Sequence, residues 1–157
     1  MNEADIRKIV EDTISKLKKD KSKMTLDLAE NICNSIVKKA TELGVKAVVC
    51  ISNEGGHPIL VKCMDDAYIA SYDIAVNKAF TVVSLKMSTI ELKPLAQPGE
   101  SLYGIQFTNG GKIVIFGGGD PLKNADGKII GGIGVSGGSE EQDTELSAYG
   151  KKYFDSL

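Results

Sequence analysis

Of the 17 glycines in this chain, 14 fall between Gly99 and Gly150. They bracket two apolar runs. The first reads Gly110-Gly111-Lys-Ile-Val-Ile-Phe-Gly117-Gly118-Gly119-Asp-Pro-Leu, and the second reads Gly131-Gly132-Ile-Gly134-Val-Ser-Gly137-Gly138-Ser. A flexible linker would be glycine and serine without Ile, Val or Phe. Here each cluster abuts a β-branched run or opens an amphipathic segment. Glycine is needed where φ must be positive or where another group comes close to the backbone. This half is therefore expected to be a folded sheet with tight turns, against which a ligand could lie.

The 157 residues suit one domain with an appendage. Net charge is −2 and no basic stripe is visible, which argues against nucleic acid as a partner. No apolar run approaches the roughly 20 residues of a membrane helix, and the N-terminus lacks a signal-peptide core. A cytoplasmic, soluble protein is expected. Cys33, Cys50 and Cys63 are odd in number and lack CxxC spacing, so they read as reduced, buried thiols. There is no tryptophan and one histidine, His57. A Ser-His-Asp hydrolase or a zinc site of several histidines would have to be built around that single imidazole.

Residues 1–17 read as a separate unit. Ile6, Ile9, Val10, Ile14 and Leu17 follow the spacing of one apolar helix face, opposite Arg7, Lys8, Glu11, Asp12 and Lys16. Residues 18–23 are a charged run without an apolar side chain, expected to be a solvated linker. A helix this short is marginal alone in water, so its stripe wants a partner. It either packs back on its own domain or serves as an interaction tag.

The main domain spans residues 24–157. Thr25 can cap a helix carrying Leu28, Ala29, Ile32, Cys33, Ile36, Val37, Ala40 and Leu43, stopped by Gly44. Strands over 45–52 and 57–64 flank the turn Asn53-Glu-Gly-Gly56. A second helix over about 71–87 buries Ile74, Ala75, Ala79, Val82 and Val83, and a short one ends near Pro94. A loop over 96–111 leads to a strand at Lys112–Phe116. The turn Asn124-Ala-Asp-Gly127 leads to a strand at Lys128–Ser136. Ser139-Glu-Glu-Gln142 has the capping-box pattern of a last helix. Two hairpins in this order predict an α+β fold with one antiparallel sheet.

Five segments carry a family resemblance: Asn53-Glu-Gly-Gly-His-Pro-Ile-Leu, Met64-Asp-Asp-Ala-Tyr-Ile-Ala-Ser71, Ala75-Val-Asn-Lys78-Ala-Phe-Thr81, Gly110-Gly through Gly119-Asp-Pro-Leu, and Ile133-Gly-Val-Ser-Gly-Gly with Gln142-Asp143 and Ala148. Over about residues 24–150 the chain resembles the GlcG/HbpS family, which includes the C-terminal domain of PduO. The resemblance implies a profilin-like α-β-α sandwich with about five antiparallel strands. It also implies homo-oligomers, from dimer to octamer, and haem as cofactor, with redox or corrinoid accessory roles. The resemblance does not establish enzymatic activity as a family trait. The family usually has Asp at Asn53, Arg at Lys62 and often Gly at Asp66. The N-terminal helix lies outside the family domain. It resembles the encapsulation peptides of bacterial microcompartments, which implies a shell protein as partner and the compartment lumen as location.

His57 is the first candidate site residue. It follows a glycine pair where a flat ligand could approach, and imidazole is a strong axial ligand for haem iron. It also reads as a plain surface histidine of a hairpin. With one histidine per chain, bis-histidine ligation would need a second subunit across a symmetric interface. Cys63 and Met64 are alternative sulfur ligands or core strand residues. Gly137-Gly138 before the last helix offers free N–H groups to an anion, and Gly118 and Gly119 add a second nest; turn geometry and close packing are the plainer account. Lys78 is charged on an apolar helix face. It either pairs with Asp143 or Glu141 or holds an anionic ligand. Asp65-Asp66 and Glu140-Glu141 read as solvated helix starts or weak cation sites. These readings favour a haem-binding accessory protein targeted to a microcompartment. The alternatives are an enzyme acting on a small carboxylate or aldehyde, or a non-catalytic structural cargo protein.

Overall fold

The computed structural model describes residues 2–17 and 21–157, with α1 side chains described as far as Thr13. Its elements run α1 (Glu3–Leu17), α2 (Leu26–Glu42), β1 (Val48–Asn53), β2 (Pro58–Cys63), α3 (Ser71–Leu85), α4 (Thr89–Leu95), β3 (Gly119–Lys123), β4 (Ile129–Ser136) and α5 (Glu140–Ser156). The strands form one sheet in the order β2-β1-β4-β3, with every neighbouring pair antiparallel. This is the expected α+β class, with four strands among the described residues where about five were expected.

Period-two alternation in β1 sorts the core onto the two faces. Val49 and Ile51 join Ile133 and Val135 of β4 under Leu28, Ile32 and Ile36 of α2 and Leu146 and Phe154 of α5. Val48 and Cys50 face Ala75 and Ala79 of α3. α3 lies so close to β4 that a Cβ on Gly134 would stand 1.9 Å from the Ala75 carbonyl oxygen. The close approach anticipated from the glycine block is thus a helix of the same chain.

Local chemistry sets the boundaries. Thr25 Oγ1 accepts from the Leu28 N–H, and Gly44 turns left-handed at φ +69° beyond α2. Ser139 and Gln142 form the capping box that opens α5. Asp66 adopts φ +66°, a conformation that glycine takes at no steric cost.

Three expectations are corrected. Residues 112–116 are not a strand. Their apolar side chains serve packing, with Ile113 and Val114 buried, while the backbone runs beside α3. There the Val114 N–H donates to Thr81 Oγ1, which donates to the Asn77 carbonyl 2.7 Å away. The partner of β4 is instead Gly119–Lys123. Pro121 sits there on an edge strand, where a missing N–H costs little.

The linker is not wholly solvated: Lys21 Nζ donates to the Phe154 carbonyl at 2.7 Å and stands over that ring, and Met24 is buried. Residues 18–20 lie outside the described residues. Cys33 and Cys50 are buried as expected, but Cys63 is exposed at the end of edge strand β2. Burial pushes the Cys33 thiol up to about 11 and the Cys50 thiol up to about 12, so both stay protonated.

Candidate functional site

The β1–β2 turn fixes His57 through one side chain. Asn53 Oδ1 accepts from the Gly55 N–H at 2.9 Å and from the His57 N–H at 3.1 Å. The Asn53 N–H donates to the His57 carbonyl. A carboxylate would accept the same two bonds, so either asparagine or aspartate keeps the turn. The His57 ring is exposed, and its Nδ1–Cε1 edge rests on Gly55, where a Cβ would stand 3.0 Å from Nδ1. On the inner side a Cβ on Gly56 would meet the Phe80 ring at 2.9 Å, so the turn is seated on α3.

Lys78 lies elsewhere, fully buried between α3, β4 and α5. Its Nζ donates to the Val135 carbonyl at 2.7 Å and to Asp143 Oδ2 at 3.1 Å, and lies 5.0 Å from the centre of the Phe116 ring. Of the two expected partners, Asp143 is the one used; Glu141 is exposed. Burial drives the Lys78 ammonium below its ordinary range, against the pull of Asp143 and Glu140. Burial lifts the Asp143 carboxyl, against Lys78 and the N–H groups of Gly138 and Gly137. The same penalty acts on both partners, and mutual pairing offsets it.

This pair changes the reading of the glycine nests. The Gly138 N–H donates to Asp143 Oδ1 at 2.9 Å, so the anion at the start of α5 is the chain's own carboxylate. The Gly119 N–H donates to Thr89 Oγ1, and a Cβ on Gly118 would stand 2.6 Å from Lys78 Nζ. Lys78, Gly118, Gly119, Gly137 and Gly138 therefore form an internal polar joint, and its ammonium is already committed. Nor does that joint meet His57. Val48 pairs with Ser136 and Asn53 with Gly131. His57 and Gly137 thus lie beyond opposite ends of β1, about 17 Å apart at ~3.4 Å per residue.

Glu140 forms an ion pair with Lys93 and accepts from the Gly117 N–H. Among the described residues no group of three His, Cys, Asp or Glu side chains could hold a metal ion. Met64 Sδ accepts from the Ala47 N–H, which gives it a place in the β1–β2 packing. Sequence reasoning passed over Asp120, which accepts from Ser147 Oγ at 2.6 Å and is lifted by burial. The available signal was an acidic residue inside the apolar run before Pro121.

A four-stranded antiparallel sheet with α3 on one face and α2 and α5 on the other defines the class, and residues 24–151 match the family described as haem degrading protein HbpS-like. The chain belongs to that family. It is 45% identical over 124 residues to an uncharacterised 15.0 kDa protein of the dhaT–dhaS intergenic region of Citrobacter freundii, covering 79% of this chain and 87% of that one. It is 41% identical over 116 residues to the corrinoid adenosyltransferase PduO of Salmonella typhimurium LT2, covering 74% of this chain but 34% of PduO. A solved structure described as a PduOC:heme complex superposes with a TM-score of 0.79 at 37% identity, covering 83% of this chain and 94% of that one. No helix among the described residues is long and apolar enough to cross a membrane.

Proposed function

We propose that this protein binds haem and serves as a redox or cofactor-handling accessory inside a bacterial microcompartment. The observation that carries the haem reading is His57, an exposed imidazole whose backbone is fixed by Asn53 and whose ring lies beside Gly55. That donor fits haem iron, for which histidine is a common axial ligand. The relative solved as a haem complex supports the same reading. Bound haem would supply one-electron or oxygen chemistry; the chain contributes the axial donor and controls access. One imidazole per chain makes assembly of copies, from dimer to octamer, the route to a second axial histidine. Lys78 and the glycine nests lie outside this site, because Lys78 is bonded to Val135 and Asp143, Gly138 to Asp143 and Gly119 to Thr89.

The targeting part rests on α1. Ile6, Ile9 and Val10 of its apolar stripe are 46%, 53% and 48% exposed. Asn2 Oδ1 caps the helix through the Asp5 N–H. A preformed stripe of this kind suits docking on a shell protein.

Titration of the full chain with haemin tests the first part. A saturable Soret band that is lost in His57→Ala supports it, and no band in the unaltered chain overturns it. Residues 1–17 fused to a fluorescent protein test the second. Punctate fluorescence in cells that make compartment shells is expected, and diffuse fluorescence in those cells would count against targeting.

A further inference from the structure

Two cavities meet along the free edge of β3. One, of about 510 Å³, lies beneath α4 and is lined by Asp120, Pro121 and Lys151. The other, of about 480 Å³, lies between the two hairpin turns over Val83 and Ile129 and includes Lys128. Lys86 and Lys123 line both, so the two form one groove. None of these four lysines has an ion pair among the described residues. Three acids share the lining, Glu54, Glu91 and Asp120: Glu91 accepts from the N–H and hydroxyl of Ser88, Asp120 accepts from Ser147 and is lifted by burial, and the four lysines still leave the groove net positive. Lys123 and Lys128 flank one hairpin turn, but Lys86 and Lys151 come from the ends of α3 and α5, so the fold gathers this positive charge.

Lys86 adds a second, independent observation. It ends α3 in the left-handed conformation, φ +58° and ψ +31°, a place where glycine is the ordinary residue. A lysine there is strained, yet its side chain lines both halves of the groove.

We propose that this groove binds a small organic molecule carrying two or more negative charges, a phosphate ester or a polycarboxylate, with its apolar part on Val83 and Ile129. The groove reaches the β1–β2 turn through Glu54 but His57 does not line it, and its binding does not depend on haem.

Calorimetric titration of the full chain at low salt, with ADP and with citrate as probes, tests it. Saturable binding that weakens as salt rises is expected for at least one. Preference for ADP assigns phosphate, and preference for citrate assigns carboxylate. Lys86→Gly with Lys123→Gln should weaken that binding roughly tenfold. His57→Ala and the distant surface change Lys38→Gln should leave it unchanged. Lys86→Gly alone should raise the melting temperature while lowering affinity, a split that a merely structural lysine would not give. Failure of both probes to saturate, or an equal loss in Lys38→Gln, overturns the proposal.

Discussion

The buried pair at the centre of the fold gives the most quantitative expectation. Lys78→Met keeps the length of the stem and fills the same space, so little cavity is created. What goes is the ammonium, with its bonds to the Val135 carbonyl at 2.7 Å and Asp143 Oδ2 at 3.1 Å. The two side chains are 0% and 6% exposed, so water cannot replace the lost donor. Removing one partner of such a pair costs about 3–5 kcal/mol. For a chain of this size that lowers the melting temperature by about 10 °C. The loss also depends on pH. Burial already holds the Asp143 carboxyl above its ordinary 3.8, and removing Lys78 lifts it further. A carboxyl raised in the folded state gives stability that is full below its unfolded value and lost as pH rises through its folded value. The deficit of Lys78→Met should therefore be larger at pH 8 than at pH 4. Urea unfolding followed by far-UV circular dichroism measures it, since the chain has no tryptophan. Lys78→Met with Asp143→Leu removes the orphaned charge and should recover most of the loss. A single-variant cost below ~1 kcal/mol, or a double variant no better than the single, would refute the reasoning.

Two further changes follow from the same packing. Asp120→Asn keeps an acceptor for Ser147 and removes a carboxylate that burial disfavours. Its stability gain should grow between pH 4 and pH 7, as the Asp120 of the unaltered chain ionises; urea midpoints independent of pH would refute this. Gly134→Ala would drive a methyl into the Ala75 carbonyl, where the nearest atom is backbone and cannot swing aside. Thermal unfolding should show a loss of about 2 kcal/mol or more, and a smaller one would mean that α3 can lift from β4.

Much of the fold could be read locally. Thr25, Gly44 and the Ser139–Gln142 box mark helix ends by short-range chemistry, and the structure uses each as expected. Asn53-Glu-Gly-Gly and Asn124-Ala-Asp-Gly are likewise turns that close on themselves. Tertiary choices were harder. Ile113 and Val114 look like a strand, but whether a β-branched run joins a ladder depends on which backbone lies beside it; here that neighbour is Thr81 of α3. The sequence placed a charge on the apolar face of α3, but the phase of α5 decided between Asp143 and Glu141. The Gly137–Gly138 nest looked open to a ligand because sequence does not show a carboxylate five residues beyond Gly138 folding back to fill it. The basic groove was invisible for a similar reason, since Lys86 and Lys151 meet the Lys123–Lys128 hairpin only through the packing of α3 and α5. The turn that carries His57 is local, so its geometry could be read from Asn53 and the two glycines.

In the proposed function, His57 presents haem iron with its axial ligand. The most direct measurement is the absorption spectrum of haemin bound to the full chain, to His57→Ala, and to His57→Ala with added imidazole. We expect a Soret band in the first, its loss in the second and its return in the third. An unchanged band in His57→Ala would show that another group holds the iron and would contradict the claim.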